Sequence, residues 1–586
     1  MKKIHNMGKW SIWMCMAGLL SVASSCAKLD LNPPSAASSE NWFSSPEEVR
    51  LSLNDFYRST FFVIESNWML DRNTDDWSQR TNIYTIAAGS LNASSTSNPN
   101  IKTVWSYTYK NISRANRILE ALDNLEGKYP STELNKLRGE ARFFRAYAYT
   151  RLITLWGDVP YYLTPITPEE AFEMGRTDKS VILKQIYEDY DYAANNLPVE
   201  NNNSGTTRVD QGAAYAFKAR CALYQHDYET AAAAAKLCMD MEHYDLAPDY
   251  GELFRDKTRS NKEVIFSIPH SNELELGEDG QPVTQSIGSF ITRSAGGTHN
   301  AQPSWELLAV YEMTNGKTID EPDSGFDPHD PFANRDPRCL ETFAAPGSRI
   351  YNIEWNPSPN VLEVMDYAQN RMVTNKDSKG GSDAANCAYN ACCLRKGAQE
   401  SWRTTLYNDN PLILMRYADV LLMYAEAKIE LGEIDATVLA CINDVRARAY
   451  GTTRTQVDAY PSITTTDQAA LRKVLRRERR VEFAWENLRY FDLLRWHQFE
   501  NAFGHNMYGF TRTASLAKEY FAAGNWFWPA TPKFDEEGFP SFEEMADGTY
   551  IVQHGERKFD EKIYLWPLPS DDILIMNGKL TQNPGY

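Results

Sequence analysis

Residues 467–496 read DQAALRKVLRRERRVEFAWENLRYFDLLRW. Asp467 is a fitting N-cap, because its carboxylate can accept from the first free amides of a helix. Leu471, Val474, Leu475, Val481 and Trp485 follow at helical spacings and make one apolar stripe. Arg476, Arg477, Glu478, Arg479, Arg480 and Glu482 surround that stripe with charge of both signs. Asn487 sits where the helix should stop, since Asn tolerates the left-handed conformation of a C-terminal cap. Leu488, Phe491, Leu494 and Trp496 carry the pattern into a second helix. So many arginines and aromatics in one helix pair predict a buried ion-pair network beneath a packed core, a structural keystone. The interleaved signs argue against a nucleic-acid arm.

Working outward, most of the chain reads as helix. Glu47–Tyr57 is a helix candidate, residues 101–156 hold two long helices ending at Gly157, and 180–247 add two or three more. The runs AYAFKARCALYQHDYETAAAAAKLCM (214–239) and ADVLLMYAEAKIELGEIDATVLACINDVRARA (418–449) share one design. Each is a helix, a short turn and a second Ala-studded helix, a degenerate repeat of tetratricopeptide type. Residues 251–410 differ: periodicity weakens, Pro, Gly, Asn and Asp become frequent, and Glu263–Ile268 reads as a short strand. A stretch that long needs structure of its own, so small hairpins are expected there. The fold class is mainly α, a tetratricopeptide-like helical scaffold with a loop-rich subdomain containing small β hairpins.

The N-terminus is a processing signal. Lys2, Lys3 and Lys9 precede an apolar run from Ile12 to Val22 that is too short to span a membrane. Small residues then lead into Cys26, the arrangement of a bacterial lipobox, so Cys26 is expected to carry lipid and 26–45 to serve as a tether. Cleavage removes three lysines and no acid, taking the net charge of −18 to about −21. That charge disfavours nucleic acid and anionic lipid as partners. Of the nine cysteines, Cys15 leaves with the signal and seven remain beyond Cys26. Cys221, Cys238 and Cys441 read as small core residues, and a local disulfide from Cys387 to Cys392 or Cys393 stays open. CAYNACC lacks zinc spacing, and FDPHD (326–330) lacks the spacing of a calcium loop. No nucleophile elbow, HExxH, P-loop or Rossmann glycine set is present. No catalytic residue, metal or cofactor is therefore assigned.

Several separated motifs resemble those of the SusD/RagB family, the outer-membrane nutrient-binding lipoproteins of Bacteroidetes. These are ERRVEFAWENLRYFDLLRW (478–496), GEARFFRA (139–146) before WGDVP (156–160), PLILMRYADVLLMYAEAKIELGE (411–433), NRDPR (334–338) and the terminal QNPGY. The family usually has Gly at the place of Asn487. The resemblance implies a signal peptide (1–25), the tether (26–45), an N-terminal helical region (46–250), a loop-rich ligand-binding subdomain (251–410) and a C-terminal helical region (411–586). It also implies a non-enzymatic protein anchored by lipid to the cell outer membrane and facing the exterior. Such a protein captures a polysaccharide or oligosaccharide and passes it to a SusC-like TonB-dependent transporter. A peptide or glycopeptide ligand, as in the RagB branch, is the alternative, and a glycan-degrading enzyme a more distant one, since two placed carboxylates suffice for glycoside hydrolysis.

Sugar rings stack their C–H faces on flat aromatics and present hydroxyls to planar polar groups. Trp or Tyr beside Asp, Asn or Arg on loops is the pattern to seek. Two stretches have it: Asp75, Asp76, Trp77 and Arg80 in the early loop, and Trp305, Tyr351 and Trp355 in the middle. The resemblance points to the same two regions. Trp402 and Trp526 are the fallback positions.

Overall fold

The computed structural model describes residues 42–586 except 81–83, 96–98, 201, 204–205, 258–260, 271–284 and 577. Cys26 and the tether residues before 42 lie outside that range. The principal helices are α1 (Pro46–Leu53), α2 (Ile101–Asn124), α3 (Ser131–Trp156), α4 (Lys179–Asn196), α5 (Gln211–Tyr224) and α6 (Tyr228–Asp240), followed by α7 (Tyr417–Glu430), α8 (Ala436–Ala449), α9 (Gln468–Glu482) and α10 (Arg489–Arg495). The α5/α6 and α7/α8 pairs are the two helix–turn–helix repeats, and α7 packs against α6. Asp227 caps α6 through the Thr230 amide, and Asp435 caps α8 through the Thr437 amide. Gly432, at φ 72°, makes the turn out of α7. Alanines on α5, α6 and α7 are buried where these helices approach.

The keystone pair behaves as its sequence demands, with one correction. Leu471, Leu475 and Val481 are buried, and Asp467 caps α9 through the Ala470 amide. The helix stops at Glu482, however, rather than at Asn487. Its last carbonyl is taken by side chains: Tyr250 Oη donates to the Glu482 oxygen at 2.7 Å and Arg416 Nη2 at 2.9 Å. Those bonds satisfy a helix end that would otherwise need a further turn or a cap. Asn487 does adopt a left-handed φ of 61°, as does Trp485, but both lie in the link between α9 and α10.

Beneath the pair runs the ion network. The Glu482 carboxylate accepts from Arg338 at 2.9 Å and Arg416 at 2.6 Å, and also from Arg448. Arg479 bonds Asp419 at 2.8 Å and Asp492 at 3.1 Å. Burial alone would raise the pKa of Glu482, Asp419, Asp492 and Asp336. The facing guanidiniums outweigh burial and hold all four below the usual carboxylate range. Carboxylates with depressed folded-state values contribute stability that is complete above their unfolded values, near pH ~4, and is lost as pH falls further. The melting temperature is therefore expected to fall steeply below about pH 4. A midpoint that stays level down to pH ~3 would contradict paired, charged carboxylates.

The loop-rich part has a core of its own, around Trp305, Tyr311, Tyr351, Trp355 and Trp402. That core also draws on Trp77, Trp485, Phe510, Trp528 and Phe542, so it gathers segments from both sides of residues 251–410. Its strands are short: β1 (Trp77–Gln79), β2 (Val264–Ile268), β3 (Gln285–Ser286), β4 (Ala301–Pro303), β5 (Ser348–Ile350), β6 (Ile353–Trp355), β7 (Glu363–Asp366), β8 (Arg371–Thr374), β9 (Tyr407–Asn408) and β10 (Leu412–Arg416). β5 to β8 form a meander, and β1–β4, β3–β9 and β2–β10 are antiparallel pairs. Cys387, Cys392 and Cys393 are buried free thiols, so no local disulfide forms. Among the described residues no helix is long and apolar enough to cross a membrane, and no cluster has the make-up of a metal site.

Candidate ligand-binding site

Strand pairing brings the early and middle segments together. Trp77 lies opposite Pro303 and Gln79 opposite Ala301, and the Arg80 amide continues the ladder to the Asn300 carbonyl at 2.8 Å. The rings expected to meet a ligand are spent on this junction. Trp77 is 3% exposed and stacks on Trp485 with centroids 4.7 Å apart. Trp305 donates its indole N–H to the Asn390 carbonyl at 2.8 Å and is enclosed by Phe510, Trp528 and Phe542. Tyr351 is buried in the left-handed turn of the β5–β6 hairpin, and Trp355 is buried edge-on to His299. A ring with both faces covered offers no platform to a sugar.

The polar positions are likewise internal. Asp75 is held by Arg480 and Arg489, each at 2.8 Å, and Asp76 by Arg480 at 2.7 Å. Burial would raise Asp75; the two guanidiniums instead keep it well below the usual carboxylate range. Arg80 is half-buried and donates to the carbonyls of Thr298, at 3.1 Å, and Asn386. These residues clamp the early loop to the keystone and the middle segment. None of them is among the residues that line the cleft described next.

The opening lies beside them. A cleft is walled by Glu65 and Trp68 from the early segment, by Leu253–Phe254, by Lys396 and Trp402, by Asn408 and residues 410–413, and by Trp485–Asn487. Trp68 is half-buried. It packs on Phe290 with centroids 4.5 Å apart, meets Trp485 edge-on, and donates its indole N–H to the Trp485 carbonyl at 3.0 Å. Next to it, Arg72 lies over the rings of Trp77 and Tyr84 at 5.2 and 5.5 Å.

Three of the residues lining this cleft are in left-handed backbone: Trp68 (φ 51°), Trp485 (φ 61°) and Asn487 (φ 61°). Such conformations cost roughly 1–3 kcal/mol each in non-glycine residues and cluster where a site must be held rigid. Here Asn487 does the holding. Its amide donates to Asp71 at 2.8 Å, its side-chain nitrogen to the Glu65 carbonyl at 2.6 Å, and its side-chain oxygen accepts from the Leu70 amide at 3.2 Å. Lys396 is buried against Tyr250, the Ala484 carbonyl and Glu486, at 2.6–2.8 Å; burial pushes its pKa down to about 8. Asn408 and His270 line the polar side, with His270 Nδ1 engaged by the Asn410 carbonyl at 2.9 Å. The cleft thus combines a rigid aromatic lip with planar amide and imidazole groups. Of the fallback tryptophans, Trp402 lines the cleft while itself buried, and Trp526 stacks on Phe510 away from it.

A family model described as "SusD family" matches residues 262–586, and one described as "Starch-binding associating with outer membrane" matches residues 29–223. SusD-like protein P25 of Formosa agariphila is 26% identical over 483 residues, covering 80% of this chain and 86% of its own length. The crystal structure of a SusD-like carbohydrate binding protein from Bacteroides fragilis superposes with a TM-score of 0.72 at 25% identity, covering 91% of this chain and 98% of that one. A laminarin binding SusD-like protein superposes with a TM-score of 0.61 at 20% identity, covering 92% of this chain and 99% of its own.

Proposed function

Because the chain belongs to the SusD family, we propose that it is a cell-surface glycan-binding lipoprotein that captures an oligosaccharide in the Trp68 cleft and passes it to a SusC-like TonB-dependent transporter. The observation that carries this reading is the rigid cleft with Trp68 at its lip. It supplies a partly open ring beside polar groups, the pairing that sugars require. The similarity to structures described as carbohydrate binding and laminarin binding supports the same ligand class. Two cleft carboxylates are tied up by cations: Glu65 is bonded by Arg151, and Glu486 by Lys396 and Arg416. Glycoside hydrolysis needs a carboxylic acid ready to give a proton beside a second carboxylate. Release of new reducing ends from bound glycan would overturn the non-enzymatic reading.

Trp68→Ala tests the site. Central aromatic anchors contribute about 2 kcal/mol or more to binding, so affinity for a retained glycan is expected to drop roughly 30-fold by calorimetry. Full retention by this variant would place the site elsewhere.

The outer-membrane role is tested separately. Cys26→Ala should release the protein from membranes; a variant that still fractionates with them would contradict lipid anchoring. The helical repeats α5–α8 are the docking surface proposed for the transporter, since stacked repeats present an extended face. Purification from native outer membranes in mild detergent should recover the barrel, and its absence would count against the pairing.

A further inference from the structure

A second, smaller opening adjoins the Trp68 cleft. The two share Glu65, Leu412, Ile413, Glu486 and Asn487. Three chain segments run from one to the other in step. The early segment lines the first chamber at Glu65 and Trp68 and the second at Ile64 and Glu65. The β10 segment lines the first at 411–413 and the second at 412–414. The α9–α10 link lines the first at 485–487 and the second at 486–488, with Phe491 beyond. Walls that advance together along three segments describe one trench divided at a waist, rather than two unrelated pits.

We propose that the second chamber is a further subsite, taking the continuation of a neutral, linear oligosaccharide whose other end lies in the Trp68 chamber. The proposal rests on the glycan-binding reading above and adds to it the length and charge class of the ligand. Tyr224 and Phe491, both half-buried, stack with centroids 5.0 Å apart and planes 18° apart, and this stacked pair lines the chamber. Its guanidiniums are committed: Arg151 bonds Glu65 at 2.8 Å, and Arg220 bonds Asp419 at 2.6 Å. Each cation is matched by a carboxylate already within bonding distance. A uronate or sulfate would have to displace one of these partners, whereas a neutral sugar need not. An apolar wall, hydroxyl-bearing Thr150 and Tyr147, and balanced charge suit uncharged pyranose rings.

The test is an oligosaccharide ladder, from disaccharide to octasaccharide, made from a neutral polysaccharide that the protein retains. It is titrated calorimetrically into the wild type, Phe491→Ala, Phe491→Leu and Trp68→Ala. Phe491→Leu keeps the apolar volume and guards against misfolding. Wild-type affinity should continue to rise, tenfold or more, beyond the shortest oligomer that binds. Both Phe491 variants should lose that gain while binding the shortest oligomer as the wild type does. A wild-type plateau at the shortest oligomer, or a length gain that survives in both Phe491 variants, overturns the second subsite. An equal length gain with an oligouronate ladder overturns the neutral class. Failure of the underlying reading looks different: Trp68→Ala would then bind every oligomer at full strength, or the wild type would bind none.

Discussion

Glu482→Ala is expected to lower the unfolding free energy by about 3–5 kcal/mol, because it removes the buried anion on which three buried guanidiniums converge and leaves the network with excess buried positive charge. The Glu482 side chain is fully buried, and Arg338, Arg416 and Arg448 converge on its two oxygens. Each of these arginines comes from a different part of the chain: the loop-rich middle, strand β10 and helix α8. Glu482 therefore ties three segments to the end of α9. Chemical denaturation is the measurement. Arg479→Ala should also destabilise, by less, since Asp419 and Asp492, both about 1% exposed, lose one cation while Arg220 and Arg495 remain against them. An unchanged midpoint in either variant would mean that these charges are solvated.

Trp305→Ala is the second large effect. The indole is 1% exposed and meets aromatic rings on several sides, so truncation leaves a cavity in the second core. It also deprives the Asn390 carbonyl of its donor. Large-to-small changes of this kind cost roughly 3–5 kcal/mol. Thermal unfolding should register that loss at neutral pH. A ligand platform would give the opposite pattern: unchanged stability with lost glycan retention. Trp77→Ala is expected to behave as Trp305→Ala does, because its face is covered by Trp485.

Most of the scaffold was legible in the sequence because helices announce themselves through spacing. The 3.6-residue stripe of α9, its Asp467 cap and the Ala-rich repeats all became the elements they suggested. The stop of α9 was not legible, because Tyr250, Arg416 and Lys396 cap it from 66 to 232 residues away in sequence. The site shows the same division. The early segment and the middle segment do meet, but which tryptophan faces out depends on the β1–β4 pairing, a non-local contact. In ESNWMLDRNTDDWSQ (65–79), nothing local separates Trp68 from Trp77. Pairing with β4 buries Trp77, while the left-handed backbone at Trp68 turns that ring to the lip of the cleft. Asp75 and Asp76 misled for a related reason: acids in a polar loop suggest ligand contact until Arg480 and Arg489 are placed against them.

The most direct test of the central claim is affinity electrophoresis of the purified protein through gels carrying a panel of polysaccharides, with Trp68→Ala run alongside. The wild type should be retarded by at least one glycan, and the variant should migrate as in a glycan-free gel while remaining folded by circular dichroism. Free migration of the wild type through every glycan, or equal retardation of Trp68→Ala, would contradict a sugar site at the Trp68 cleft.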